Sequence, residues 1–119
     1  MAPAAEQTAL AFANALAQGE FASAHSMLAK ELQGKLSAGS LRWKYKLMTF
    51  FPMLLGGGGG KVECEVFERL DDWPTKQPGD LGWFYVSISN GKSWAEAVTT
   101  TVCREDGGPR IRDIEWGRP

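Results

Sequence analysis

Apolar and polar residues alternate in two runs along Gly82–Glu105, GWFYVSISNGKSWAEAVTTTVCRE, and the runs meet at Asn90-Gly91. Asn-Gly tolerates the two positive-φ positions of a type I′ turn, so the pattern predicts a hairpin closed by a two-residue loop. That register sets Ser89 opposite Lys92, Ser87 opposite Trp94, Tyr85 opposite Glu96 and Trp83 opposite Val98; the other face pairs Ile88 with Ser93, Val86 with Ala95 and Phe84 with Ala97. One face is then apolar (Phe84, Val86, Ile88, Ala95, Ala97) and the other mixed (Trp83, Tyr85, Ser87, Trp94, Glu96, Val98). Three large aromatics are too many for a face left to water, so the sheet is expected to have cover on both sides.

The N-terminal part reads as helical. Pro3 to Ala17 carries an apolar stripe of Ala5, Ala9, Phe12, Ala13 and Leu16, with Gly19 placed to stop it. Phe21 to Lys30 predicts a second helix with Phe21, Ala24 and Leu28 on one side. Gly34 to Gly39 breaks the pattern, and Ser40 is expected to cap a third helix. LRWKYKL alternates like a strand, but extended to LRWKYKLMTFF it lines up Leu41, Tyr45 and Met48 at helical spacing; a helix from Leu41 to Phe51 is expected, ended by Pro52. Arg42, Lys44 and Lys46 then fan around its solvated side.

Gly56 to Gly60 lacks the Ser or Thr of a phosphate loop, since Val62 stands there, and reads as a flexible connector. Lys61 to Leu70 predicts a strand with Val62, Cys64, Val66 and Leu70 on one face and Glu63, Glu65, Phe67 and Arg69 on the other. Asp71 to Asp80 is a polar loop, Glu105 to Pro109 a turn, and Arg110 to Trp116 the last strand. Three helices followed by four antiparallel strands make an α+β fold, helices on one face of a curved sheet.

Length adds that the 119 residues form one domain, 1–119. A net charge of −1 gives no general reason to expect nucleic acid or a membrane as partner, and no apolar run approaches the length of a span. Five Trp in so short a chain point to a core, a pocket or an interface. Cys64 and Cys103 share no metal-site spacing and read as buried thiols. The Ala-rich start lacks a basic leader region, so a cytoplasmic location is the default expectation, although a chain that had lost a signal peptide would look the same.

The helical hairpin FANALAQGEFASAHSMLAKEL, a third helix, and strands closing on IRDIEW resemble the nuclear-transport-factor-2-like superfamily, the cone-shaped fold of ketosteroid isomerase-like and SnoaL-like proteins. The resemblance is one of layout and of the opening ALxxGxFxxAxxxL, and the closing stretch looks most like small bacterial members. It implies a pocket between sheet and helices and homodimers formed through the sheet; it implies no single activity.

Candidate chemistry is sparse. His25 is the one histidine and lies beside an apolar stripe, which suits a satisfied boundary residue better than a general base. Tyr85 opposite Glu96 is the most suggestive polar pair. Arg112 is expected to share a face with Ile114 and Trp116, and Asp113 and Glu115 one with Ile111. No triad or metal set can be assembled, and no cofactor is implied. The expectation is therefore a non-catalytic domain binding a small apolar ligand or a protein partner, as a homodimer through the sheet, with Trp43, Tyr45, Met48, Trp83, Tyr85, Trp94 and Glu96 lining the pocket or interface. The alternative is a small isomerase, dehydratase or cyclase of the ketosteroid isomerase/SnoaL kind, which a perturbed carboxylate beside Tyr45 or Tyr85 would favour. Nucleic-acid binding rests only on Arg42, Lys44 and Lys46 interleaved with Trp43 and Tyr45, and is not expected.

Overall fold

The structure, a computed structural model, describes residues 4–56, 61–90 and 95–117, with side chains at all of these except 51–56. Helix α1 spans Ala4–Ala17 and buries the stripe its sequence predicts: Ala5, Ala9, Phe12, Ala13 and Leu16. Its end is a Schellman stop, because Gly19 takes φ +78° while Glu20 N–H donates to Ala15 O at 2.8 Å and Gly19 N–H to Leu16 O at 3.1 Å.

The single helix expected over Phe21–Lys30 is instead two short ones, α2 (Phe21–Ser26) and α3 (Lys30–Lys35). Between them the chain runs along the last strand, β4 (Gly108–Trp116). Ile111 N–H donates to Met27 O at 2.9 Å and Ala29 N–H to Ile111 O at 2.7 Å, so Leu28 makes a parallel bridge and is fully buried. Covering a strand edge and burying a leucine outweighs two further helical bonds.

Helix α4 (Ala38–Gly56) starts earlier and ends later than its pattern predicts. Ser37, not Ser40, is its cap: Ser40 N–H donates to Ser37 Oγ at 3.0 Å, and Leu41 N–H donates to Ser37 O at 3.0 Å. Nor does Pro52 end it. Proline removes one helical donor, yet the helix passes through it to Gly56. Of the expected glycine connector, residues 57–60 lie outside the described residues.

The sheet is an antiparallel meander, β1 (Glu63–Leu70), β2 (Asp80–Ser89), β3 (Ala95–Glu105) and β4, in that order. The fold is thus α+β, helices packed on four strands, as the sequence predicts. The register of the central pair is not the predicted one. Ser89 pairs with Ala95, Val86 with Val98, Tyr85 with Thr99 and Trp83 with Thr101, a slip of three positions that lengthens the loop. Gly91 and the expected partners Lys92, Ser93 and Trp94 lie outside the described residues, and Asn90 does not take positive φ. An odd slip turns every β3 side chain to the opposite face. Val98 and Val102, both fully buried, go under the helices in place of Ala97 and Thr101. Against Ala97, Val98 buries two more carbons, about 1.6 kcal/mol at ~0.8 kcal/mol per carbon, and Val102 puts a methyl where Thr101 would put a hydroxyl. The two-residue turn exists one hairpin later, where Glu105 pairs with Gly108 around Asp106 (φ +54°) and Gly107 (φ +80°).

Three bulges change which side chains share a face, one of them in β2, where Leu81 is the extra residue between Asp80↔Cys103 and Gly82↔Val102. In β1, Phe67 is the extra residue between Val66↔Val86 and Glu68↔Tyr85. Arg69 and Leu70 therefore exchange their predicted faces, and Arg69 meets Glu6 of α1 at 2.8 Å. In β4, Arg112 is the extra residue between Val102↔Ile111 and Thr101↔Asp113. Ile111 and Ile114 consequently face the helices, while Asp113 and Glu115 turn to the other side, not sharing a face with Ile111 as expected. The core under α1 holds Phe12, Leu16, Leu28, Leu41, Val86, Ile88, Val98, Val102 and Ile111, all fully buried.

Candidate functional site

The outer face of the sheet, away from this core, is built from small residues in the middle and large ones around them. Ala97, Thr99 and Thr101 of β3 are buried there, on the strand that runs between β2 and β4. Trp83 and Tyr85 are half-buried beside them. The β1 bulge throws Phe67 out to 68% exposure, and its ring lies parallel to that of Tyr85, at 4° with centroids 6.5 Å apart. Exposed carboxylates frame this aromatic row: Glu63, Glu65 and Glu68 on β1, Asp113 and Glu115 on β4.

A second polar centre lies at the end of the sheet where the β1–β2 loop crosses β4. Asp80, with its side chain only 1% exposed, accepts Arg112 Nε at 2.6 Å, Arg112 Nη2 at 2.6 Å and Gln77 N–H at 2.8 Å. Arg112 Nη2 also donates to Thr75 O at 3.0 Å. Burial alone would raise the Asp80 carboxyl. The hydrogen bonds from Arg112 and Gln77, with the charges of Arg112 and Lys76, overcome that and hold it below the ordinary carboxylate value. The pair lines a cavity of about 520 Å³ whose walls include Leu32, Lys35, Pro78 and Cys103. Asp80 holds Arg112, Glu31 holds Lys35 at 3.3 Å, and Glu105 Oε2 accepts the backbone N–H of Lys30 at 2.9 Å. Burial, with Glu105 and Asp80 nearby, pushes the Cys103 thiol up, so it is no ready nucleophile.

The residues singled out from sequence scatter. Trp83 and Tyr85 come together on the outer face. Tyr45 is buried under α4 with its ring 6.1 Å from Phe21, and Met48 is half-buried beside the same core. Burial, then Cys64, pushes the Tyr45 hydroxyl up to about 12, and burial pushes the Cys64 thiol up to about 11. Trp43 stands on the far side of α4. Glu96 pairs across to Ile88 rather than Tyr85, so the suggestive Tyr–Glu pair does not form. Trp94 lies outside the described residues. His25 Nε2 sits 3.3 Å from Gln33 O, while Gln33 Nε2 donates to His25 O and Leu28 O, both at 3.1 Å, tying α2 to α3. Cys64 and Cys103 are free and half-buried, on strands separated by β2. Among the described residues, no three His, Cys, Asp or Glu side chains gather as a metal site.

No protein-family model matches this chain, and no curated protein or solved structure does either.

Proposed function

We propose that this chain is a non-catalytic binding domain whose partner is a protein, taken on the outer face of the sheet. The observation that carries the reading is the Phe67–Tyr85–Trp83 row, set over buried small residues and framed by five exposed carboxylates. Aromatic side chains at the centre of a patch with charges at its rim are the usual anatomy of a protein interface. The small apolar ligand allowed by the sequence has less support, because fully buried side chains fill the space between α1 and the sheet. The isomerase alternative also has less: Asp80, a buried carboxylate, is held ionised by Arg112 rather than poised beside a tyrosine. The nuclear-transport-factor-2-like resemblance adds the homodimer through the sheet, and this face is where it would form.

Light scattering at low and high salt, on the wild type and on Phe67→Asp, tests the reading. A homodimer through this face brings two acidic rims together, so its mass rises as salt screens them. A basic foreign partner leaves the chain monomeric at both salts. A dimer unaffected by Phe67→Asp places the contact elsewhere and refutes the homodimer.

A further inference from the structure

Helix α4 carries a feature that the binding face does not explain. Leu41 and Tyr45 are buried, and at about 100° per residue the opposite pole of the helix is occupied by Trp43, Leu47 and Phe50. Trp43 is 67% and Leu47 61% exposed, and Phe50, at 55%, extends the row. Exposed basic residues flank it, Arg42 and Lys46 on one side and Lys44 on the other. Between Leu36 and Gly60 the only charged residues are Arg42, Lys44 and Lys46, so this segment carries +3 in a chain whose total is −1. The near-neutral total hides this local excess of positive charge. From Leu47 to Gly60 the sequence has no charge at all.

A row of Trp, Leu and Phe between basic flanks is the pattern of a helix lying in the plane of a lipid headgroup layer. We infer that the outer side of α4 docks on an anionic lipid surface: Trp43 and Leu47 enter the headgroup–acyl boundary, and Arg42, Lys44 and Lys46 meet the lipid phosphates and carboxylates. The net charge of −1 argued against a membrane partner only on average; the charge that matters is the one beside the apolar row. The helix does not span, since no described helix is long and apolar enough to cross a bilayer. The inference is independent of the sheet-face reading, because the residues concerned lie on a different element.

The test is flotation of the full chain with vesicles of phosphatidylcholine alone and of phosphatidylcholine with phosphatidylserine, at low salt. The wild type is expected to float with the anionic vesicles only. Each basic residue at such a surface is worth about fivefold in affinity, so Arg42→Gln/Lys44→Gln/Lys46→Gln loses about a hundredfold. Trp43→Ser/Leu47→Ser is expected to lose binding while keeping the wild-type circular dichroism spectrum and melting curve, because both side chains are exposed. Lys30→Gln/Lys76→Gln removes charge elsewhere and should leave binding intact. Failure of the wild type to float, equal binding to neutral vesicles, or an equal loss in the Lys30/Lys76 control would each overturn the inference. So would a wild-type oligomer that Trp43→Ser/Leu47→Ser dissociates, which would assign the row to a second copy of the chain.

Discussion

Replacing Asp80 with alanine removes a carboxylate that accepts three hydrogen bonds and leaves the Arg112 guanidinium with Thr75 O alone. Breaking a fully buried ion pair by deleting one partner costs about 3–5 kcal/mol. The Arg112 side chain is 21% exposed, so water reaches the orphaned charge and the loss falls to roughly 2–3 kcal/mol. For a chain of this length, that lowers Tm by roughly 8–12 °C. The carboxyl is held below its unfolded value of about 3.9, so its stabilisation is complete above about pH 4 and is lost as pH falls further. Urea unfolding at neutral pH and at about pH 3 should therefore show a gap between wild type and Asp80→Ala that is smaller at the second than at the first. Arg112→Met added to Asp80→Ala should cost less than the two singles together. A single-variant loss under about 0.5 kcal/mol, or additive singles, would refute the pair as a structural clamp.

Other substitutions test the local arguments. A Cβ at Gly82 would stand 2.6 Å from the buried Phe84 ring, so Gly82→Ala should destabilise by about 1–3 kcal/mol in urea unfolding. Ser37→Ala removes the α4 cap and should cost about 1 kcal/mol, whereas Ser40→Ala should leave the Ser37 bond to the backbone intact and cost less. At Gly107 (φ +80°), alanine strains the Asp106-Gly107 turn by about 1 kcal/mol. With its thiol near 11, Cys64 is roughly one part in a thousand thiolate at about pH 8, and should react with a disulfide reagent far more slowly in the folded chain than in urea.

Features governed by neighbours in the chain were legible in the sequence. The stripe of α1 and its Gly19 stop depend on spacing within a few residues, and both are as predicted. The number of strands comes from runs and turns in the same way. Register was not legible, because Asn90-Gly91 and the burial of Val98 and Val102 point to different pairings and burial contributes more. The faces of Phe67, Arg69 and Arg112 depend on bulges, for which alternation alone gives no signal. The Asp80–Arg112 pair joins residues 32 positions apart and depends on two bulges, one in β2 beside Asp80 and one in β4 at Arg112. Of the proposed binding row, Trp83 and Tyr85 were readable from their shared parity. Phe67 was placed on the outer face but could not be seen to stack on Tyr85.

The most direct test of the central claim is hydroxyl-radical footprinting of the aromatic side chains in dilute solution. An open sheet face predicts fast oxidation of Phe67, intermediate rates at Trp83 and Tyr85, and protection of Phe12 and Phe84. If Phe67 and Tyr85 are as protected as Phe12 in the dilute monomer, the chain covers that face itself, and it is not the docking surface.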